Sequence, residues 1–241
     1  MIKGGQRIAT ATGVMLADPN GLGNARLDAS ESLFDPDFWQ SRGELAAVSG
    51  GRGSAWFVGS AANPWVLRHY RRGGFIARIS EDRYWWSGED RVRSFAEWRL
   101  LLELSHRGLS VPQPVAAFYR REKLTYRCDL ITVRIAHTQP LSAALGAGPL
   151  AASGWRAIGA AIARLHREGV DHADLNAHNI LLGPGGSVSV IDLDRGRVRE
   201  PGAWRARNLE RLKHSLEKIS LSPDRFTPAS WSELLAGYQA S

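Results

Sequence analysis

The spacing of apolar residues changes near Pro140, and this change limits the folds that the chain can adopt. Before Pro140, apolar and aromatic residues occur mainly in short runs separated by turn residues, as in Ala55–Val58 and Trp65–Tyr70, which is typical of antiparallel strands. After Pro140 they recur at helical spacing, as in Ile158 and Ile162. We therefore predict a two-lobed fold of the α+β class, with an N-terminal antiparallel sheet and one helix, followed by a mainly helical C-terminal lobe.

The same change divides the chain into two domains. Residues 1–134 are predicted to form the N-terminal lobe, with a loosely structured lead-in over residues 1–40 that contains a short helix near Asp37–Arg42. One long helix is predicted over Ser94–His106, and its first residue has the side chain and spacing of a helix N-cap. Residues 135–241 are predicted to form the C-terminal lobe, which contains a polar loop, a hairpin and two tail helices.

The composition indicates a soluble protein with anionic partners. The 241 residues include 27 arginines and four lysines, and the formal net charge is +7. A positive surface favours nucleic acid, acidic lipid head groups or phosphorylated sugars as partners. Cys128 is the only cysteine, which excludes an internal disulfide and favours a reducing compartment. We expect neither a membrane-spanning helix nor a signal peptide.

The strongest chemical signal lies between His172 and Asp192. Asp174 precedes Asn179 by five residues, and a predicted tight hairpin separates Asn179 from Asp192, thirteen residues later. Phosphoryl transfer requires a carboxylate that accepts the proton of the acceptor hydroxyl, together with oxygen ligands for Mg²⁺. Asp174 fits the first role, and Asn179 and Asp192 fit the second. The order and spacing match the kinase-type pattern H-x-D-x-x-x-x-N followed by an aspartate.

Other interpretations of these residues remain open. Aspartate and asparagine often serve in turns and helix caps, so each of the three could be structural when taken alone. His172 could act as a base, but a structural histidine beneath the loop is the favoured interpretation. Asn176, Leu193 and Asp194 depart from the pattern of protein kinases and favour a kinase that acts on a small molecule.

The N-terminal half contains candidate residues for binding a nucleotide. Gly51 and Gly53 resemble the start of the kinase loop G-x-G-x-x-G-x-V, where backbone amides approach phosphate groups and Val58 would cover the adenine. Arg68 stands where a kinase has its phosphate-contacting lysine, and Glu97 would be its ion-pair partner. The alternatives are a plain β-turn at the glycines and a solvent-exposed strand position for Arg68.

Several segments together resemble the lipopolysaccharide kinase family, which contains kinases of 3-deoxy-D-manno-octulosonic acid (Kdo) and of inner-core heptose. The resemblance extends from about Phe34 to Leu216, and its most specific part is the string H-A-D-L-N-A-H-N. The segments are Gly51–Gly53, Val66–Gly74, Arg93–Arg99, Asp129–Thr132, His172–Asn179 and Ile191–Arg195.

The resemblance implies a protein-kinase-like fold with a catalytic loop and a metal-binding hairpin in the C-terminal lobe. It implies ATP and Mg²⁺ as cofactors and phosphorylation of the 4-hydroxyl of Kdo on a Kdo–lipid A precursor, in lipopolysaccharide inner-core biosynthesis. The acceptor would be a lipid-linked Kdo sugar, met at the cytoplasmic face of the inner membrane of a Gram-negative bacterium. Peripheral contact with that anionic surface is expected, and nucleic acid is not. Arg71, Arg72 and Arg195 are candidate cations for the acceptor, although each could equally be a solvated surface residue.

Two other functions remain open. A heptose kinase or an aminoglycoside-type phosphotransferase would keep the chemistry and change the acceptor, although a chain of charge +7 repels a polycationic aminoglycoside. An inactive kinase-like module could instead bind anions or a membrane through the basic tail Arg195–Lys218. The presence of a base and both metal ligands argues against this second alternative.

Overall fold

The computed structural model describes residues 5–47, 55–71, 82–219 and 224–241. It divides into two units, one formed by Met1–Leu102 with Gln113–Arg134 and the other by Glu103–Pro112 with Ile135–Ser241. The mixed class and the antiparallel sheet are confirmed. The assignment of residues 1–134 and 135–241 to two lobes stays a prediction.

An antiparallel sheet forms the centre of the N-terminal unit. Its strand order is β1-β2-β7-β8-β5-β4-β3, and β6 pairs with β8 beside this path. The described strands are β1 Gln6–Ala9, β2 Gly13–Ala17, β3 Leu45–Ala47, β4 Ala55–Val58, β5 Trp65–His69, β6 Tyr84–Trp85, β7 Pro114–Glu122 and β8 Thr125–Val133. The antiparallel strands expected at Ala55–Val58 and Trp65–Tyr70 are confirmed as β4 and β5, which pair with Val58 opposite Trp65.

The prediction of a loosely structured lead-in is wrong for the described residues. Strands β1 and β2 form a hairpin, and β2 pairs along its length with β7, a partner about a hundred residues later in the chain. Two short helices follow, α1 Pro19–Asn24 and α2 Pro36–Ser41, and the second confirms the helix expected near Asp37–Arg42. The indole of Trp39 is fully buried and donates to the carbonyl oxygen of Leu33 at 2.8 Å. Burial of these apolar side chains stabilises the lead-in against the sheet.

The long predicted helix is present as α3 Arg93–His106, but its cap differs from the prediction. Ser94 is fully buried inside the helix, and its hydroxyl donates to the carbonyl oxygen of Phe118 on β7 at 3.1 Å. The serine therefore ties the helix to the sheet instead of capping it. Phe95 and Trp98 are fully buried on the same helix, as their spacing predicts.

Helices dominate the C-terminal unit. Helices α5 (Ala152–Arg167) and α7 (Pro228–Ala240) approach closely because each has a glycine at the contact. A Cβ on Gly159 would lie 1.9 Å from the carbonyl oxygen of Leu234, and one on Gly237 would lie 2.1 Å from that of Arg156. No helix in the described ranges is long and apolar enough to span a bilayer. The elements are β9 Gln139–Pro140, α4 Leu141–Ala147, α5 Ala152–Arg167, β10 Val170–Asp171, β11 Ile180–Leu182, β12 Val188–Val190, β13 Arg197–Val198, α6 Trp204–Ile219 and α7 Pro228–Ala240.

Candidate active site

A tight hairpin brings Asn179 and Asp192 to the same end of two paired strands. Ile180 on β11 lies opposite Val190 on β12. One residue further on, the backbone N–H of Ile191 donates to the carbonyl oxygen of Asn179 at 3.0 Å. Directly opposed residues of antiparallel strands lie about 5 Å apart, so Asn179 and Asp192 are held at one edge of this hairpin.

The loop before the hairpin is held by hydrogen bonds to one carbonyl group. The backbone oxygen of Asp174 accepts from the side-chain amide of Asn179 at 2.9 Å and from that of Asn176 at 3.0 Å. The other end of the Asn176 side chain accepts from the backbone N–H of His178 at 2.8 Å. The carboxylate of Asp174 itself is exposed and accessible to a substrate, while its backbone is fixed.

His172 connects this loop to the residue before Asp192. The imidazole is fully buried. Its Nε2 lies 3.0 Å from the carbonyl oxygen of Ile191, and its Nδ1 lies 3.2 Å from the backbone N–H of Asp174. A carbonyl only accepts and an N–H only donates, so the ring is neutral with its proton on Nε2. Burial lowers the pKa of His172. Both ring nitrogens are occupied, which supports a structural role over a role as base.

Asp192 has a backbone conformation that is unusual for a residue other than glycine. Its φ is +60°, in the left-handed region. The residues on both sides are anchored. The N–H of Ile191 donates to the carbonyl oxygen of Asn179, its carbonyl oxygen accepts from the imidazole of His172, and Leu193 is almost fully buried. Strained conformations of this kind persist where the surrounding structure determines them, and they are concentrated at functional sites.

Two polar residues of α6 support the loop, and the sequence analysis missed both. The side-chain oxygen of Asn208 accepts from the backbone N–H of His172 at 3.0 Å, and its nitrogen donates to Asp171 at 2.9 Å. Two helical turns later, on the same face of α6, the hydroxyl of Ser215 accepts from the backbone N–H of Ala177 at 3.2 Å. Asn208 is only 5% exposed. A buried asparagine within the apolar stripe of an amphipathic helix is the signal that could have identified it.

A third residue of α6 places a positive charge next to the predicted base. Nη1 of Arg211 lies 3.4 Å from Oδ1 of Asp174, and both side chains are more than half exposed. The sequence analysis included Arg211 only within the basic tail Arg195–Lys218. The structure adds it to the candidate site because the fold brings α6 against the loop.

The N-terminal unit brings Arg68 and Glu97 together. The guanidinium of Arg68, on β5, forms an ion pair with the carboxylate of Glu97, on α3, and donates to the hydroxyl of Tyr70 at 2.8 Å. The Tyr70 hydroxyl also donates to Glu97. Glu97 and Tyr70 are buried, and burial raises the pKa of Tyr70 well above its usual value. The expected ion pair is therefore present, while its function toward a nucleotide stays a prediction.

Val58 lies on the other face of the sheet from Arg68. It is directly opposite Trp65 and is 2% exposed within the hydrophobic core. Successive residues of a strand point to opposite faces, so the face of Arg68 is shared by Ala55 and Phe57. This register contradicts the predicted adenine contact for Val58. A shift of one residue along a strand is enough to reverse the face that a side chain occupies.

The remaining predicted residues are distributed as follows. Gly51 and Gly53 lie outside the described residues, as does Arg72. Arg71 and Arg195 are exposed, and Arg195 has a φ of +63°. The role of these arginines toward the acceptor stays a prediction.

The donor set at the edge of the hairpin fits Mg²⁺. Asn179 uses its amide nitrogen on the carbonyl of Asp174, so its side-chain oxygen is the atom left to face a cation. Asp192 contributes a carboxylate at the same edge. Both are hard oxygen donors, and Mg²⁺ commonly takes one or two such ligands from a protein and the rest from water and phosphates.

The sequence profile of one protein family agrees with this geometry. Residues 36–238 match the profile described as "Lipopolysaccharide kinase (Kdo/WaaP) family". The chain belongs to this family. The match covers the loop of Asp174, the hairpin and the supporting helix α6, so the elements that build the candidate site are those of a lipopolysaccharide kinase.

Individual members of the family are about half identical to this chain. A 3-deoxy-D-manno-octulosonic acid kinase of Stenotrophomonas maltophilia (strain R551-3) is 49% identical over 209 residues, which cover 86% of this chain and 81% of the relative. A protein of the same name from Xanthomonas axonopodis pv. citri (strain 306) is 50% identical over 192 residues, or 79% and 76% of the two chains. A third, from Xylella fastidiosa (strain M12), is 50% identical over 188 residues, or 78% and 75%. The predicted family and the prediction that the chain is a kinase are confirmed.

Proposed function

We propose that this lipopolysaccharide kinase transfers the γ-phosphoryl group of ATP to the 4-hydroxyl of the Kdo residue on a Kdo–lipid A precursor. Relatives at about 50% identity that carry the name of a Kdo kinase support the choice of acceptor. The observation that carries the chemistry is the shared carbonyl of Asp174, which fixes the predicted base and a predicted metal ligand in one loop. The proposal includes a two-lobed protein-kinase-like fold.

In this proposal Asp174 orients the sugar hydroxyl and accepts its proton. Its carboxylate is exposed to substrate, while its backbone N–H is bound by His172 and its backbone carbonyl by Asn179. A base held in this way loses little entropy on reaching the reactive geometry. Such positioning of the reacting groups is a main source of catalysis in phosphoryl transfer. Because His172 is neutral and occupied at both nitrogens, it positions Asp174 and takes no part in the proton transfer.

Asn179 and Asp192 hold Mg²⁺ in the proposed enzyme. When bound, the ion neutralises charge on the phosphate oxygens of ATP. The hydrogen bond from Asn179 to Asp174 fixes which atom of its amide faces the ion. The anchored left-handed backbone at Asp192 keeps the second ligand at the same edge of the hairpin.

Two arginines supply further positive charge. Arg68 replaces the usual phosphate-contacting lysine, and its ion pair with the buried Glu97 fixes the guanidinium. Arg211 pairs with Asp174 in the free enzyme and turns to the transferring phosphoryl group when substrates bind. Both ends of the Asn176 side chain form hydrogen bonds within the loop. We therefore assign the contact with the transferring phosphoryl group to Arg211 and not to Asn176.

The acceptor determines where the enzyme works. A Kdo–lipid A precursor is anchored in the cytoplasmic leaflet of the inner membrane, so we propose a peripheral enzyme at that surface. The net charge of +7 supports contact with anionic lipid.

The experiment is a comparison of acceptors with the purified protein. ATP consumption is measured with Kdo–lipid A, with a heptosylated acceptor and with an aminoglycoside, and the product is analysed by mass spectrometry and NMR. We expect turnover with Kdo–lipid A alone and a phosphate on the 4-hydroxyl. Faster turnover of the heptosylated acceptor or of the aminoglycoside would replace the proposed substrate. If the protein neither hydrolysed ATP nor transferred phosphate to any of the three acceptors, an inactive anion-binding module would be favoured.

A further inference from the structure

The two most exposed large hydrophobic side chains of the described residues lie at the same end of the sheet, one in the turn between β7 and β8 and one on β6, which pairs with β8. Trp85 is 69% exposed and Leu124 is 67% exposed. Trp85 on β6 lies opposite Thr125, the residue after Leu124, and the backbone N–H of Trp86 donates to the carbonyl oxygen of Leu124 at 2.9 Å. We call Trp85, Leu124 and the two exposed cations Arg121 and Lys123 the hairpin tip. Exposed apolar residues that cluster in this way mark interaction sites more often than single exposed ones do.

A rigid support carries these side chains. The turn between β7 and β8 has only two residues, and Lys123 takes a left-handed φ of +53° in it. Behind the tip, the ring of Trp86 lies 5.2 Å from that of Tyr119 and under the guanidinium of Arg121 at 4.7 Å. The tip is therefore held in place before it meets a partner, which reduces the entropy lost on binding.

The charges around the tip are predominantly positive. The nearby acids are already paired, Glu122 with Arg83 at 2.7 Å and Asp82 with Arg127 at 2.8 Å. Within the described ranges, neither Arg121 nor Lys123 forms an ion pair. Lys123 lies beside Leu124 in the turn, and Arg121 lies on the face of the sheet opposite Trp85. Two exposed cations thus lie at the same end of the sheet as the tryptophan and the leucine.

We propose that the hairpin tip is the part of the enzyme that enters the head-group region of an anionic phospholipid bilayer. The inference rests on the proposed function, because a lipid-linked acceptor brings the enzyme to such a surface. A tryptophan is favoured at the interface between water and hydrocarbon, and a leucine is favoured in the hydrocarbon below it. The cations next to them gain attraction from each anionic head group nearby.

The small size of the apolar cluster favours a bilayer over a protein partner. A stable interface between two protein chains buries about 800 Å² on each side, with a well-packed apolar centre. Two projecting side chains do not provide such a surface. They suffice for a bilayer, because lipids fill the space around any projecting side chain and the charges add to the attraction.

The test measures binding of the full chain to vesicles by co-sedimentation, with phosphatidylcholine alone and with added phosphatidylglycerol. The double variant Trp85→Ser/Leu124→Ser is compared with Val198→Ser, which alters another exposed hydrophobic residue. Arg121→Gln/Lys123→Gln is compared with Arg207→Gln/Lys218→Gln, which removes the same charge from the exposed face of α6. Circular dichroism confirms that each variant is folded, and size-exclusion chromatography reports self-association.

We expect the wild type to bind vesicles that contain phosphatidylglycerol. The apolar double variant should bind them at least about tenfold more weakly, while both controls bind as the wild type does. The charge variant should lose the preference for phosphatidylglycerol, and added salt should weaken the wild type in the same way. With Kdo–lipid A dispersed in detergent, both tip variants should turn over at the wild-type rate.

Equal vesicle binding by the apolar double variant and the wild type would overturn the inference. Loss of a dimer in that variant, without a change in vesicle binding, would assign the tip to a second copy of the chain and overturn it as well. These outcomes are independent of the proposed function, since a wild type that binds vesicles and phosphorylates no Kdo acceptor would refute the function alone.

Discussion

The side-chain nitrogen of Asn179 donates a hydrogen bond to the backbone carbonyl of Asp174 at 2.9 Å. This bond connects the predicted base to a predicted metal ligand without an intermediate residue. The same amide group thereby has two functions, since its nitrogen fixes the loop and its oxygen is left for a cation. An aspartate could not perform both functions at neutral pH, because its ionised carboxylate only accepts hydrogen bonds.

Replacement of Asn179 by aspartate tests this double role. Asn179→Asp keeps an oxygen ligand but loses the donor, so the loop of Asp174 should loosen and kcat should fall by about 10²-fold. His178→Ala, which changes the exposed neighbouring side chain, is the control and should keep most of the activity. Steady-state kinetics over a range of Mg²⁺ concentrations provide the measurement. An Asn179→Asp enzyme with wild-type kcat would show that the hydrogen bond is unimportant.

Removal of the positive charge next to Asp174 should slow the chemical step. Arg211→Ala is expected to lower kcat by about 10- to 100-fold with little change in the KM for ATP, because the charge acts in the transition state. Arg211→Lys should retain part of the activity that Arg211→Ala loses. Arg207→Ala, on the exposed face of the same helix, is the control and should leave kcat unchanged. If Arg211→Ala raised KM alone, Arg211 would be a binding residue and the assignment to phosphoryl transfer would be wrong.

Asn208 is expected to act as a positioning residue. Asn208→Ala leaves the buried N–H of His172 without its acceptor and Oδ1 of Asp171 without its donor, which should cost about 1–3 kcal/mol of unfolding free energy. We also expect kcat to fall by about tenfold while the Kd for ATP is unchanged, because the loop of Asp174 shifts. Glu210→Ala, at an exposed position of α6, is the matched control. A loss of stability without any loss of kcat in folded enzyme would reduce Asn208 to a purely structural residue.

Protein stability should fall in mild acid because of His166. The side chain is fully buried against Trp204 and Tyr238, and burial lowers its pKa to about 4. Since the unfolded chain protonates near pH 6.5 and the folded chain does not, the stabilisation is present above pH 6.5 and is lost as the pH falls from 6.5 to 4. The loss approaches about 3 kcal/mol, measured by urea unfolding at a series of pH values. In His166→Gln this part of the pH dependence should disappear, and an unchanged slope would contradict the assignment.

Contacts between residues that are close in sequence could be predicted from their spacing. A contact made by the tertiary fold was predicted only where the kinase pattern supplied it, as for Arg68 and Glu97. Asp174, Asn179 and Asp192 lie on one loop and one tight hairpin, so their spacing alone predicts that they meet. Arg211 lies 37 residues after Asp174, and only the packing of α6 against the loop reveals the contact. Val58 failed for a different reason, because a shift of one residue in a strand reverses the face and the sequence gives no register for β4 against β5.

The most direct test of the central claim is the transfer of label from γ-labelled ATP to Kdo–lipid A by the wild type and by Asp174→Asn. This variant keeps the size of the side chain and removes the proton acceptor. We predict that transfer falls by about 10³-fold or more, while the Kd for ATP, measured by calorimetry, stays within about twofold of the wild type. Transfer by Asp174→Asn at a rate comparable to the wild type would contradict the account.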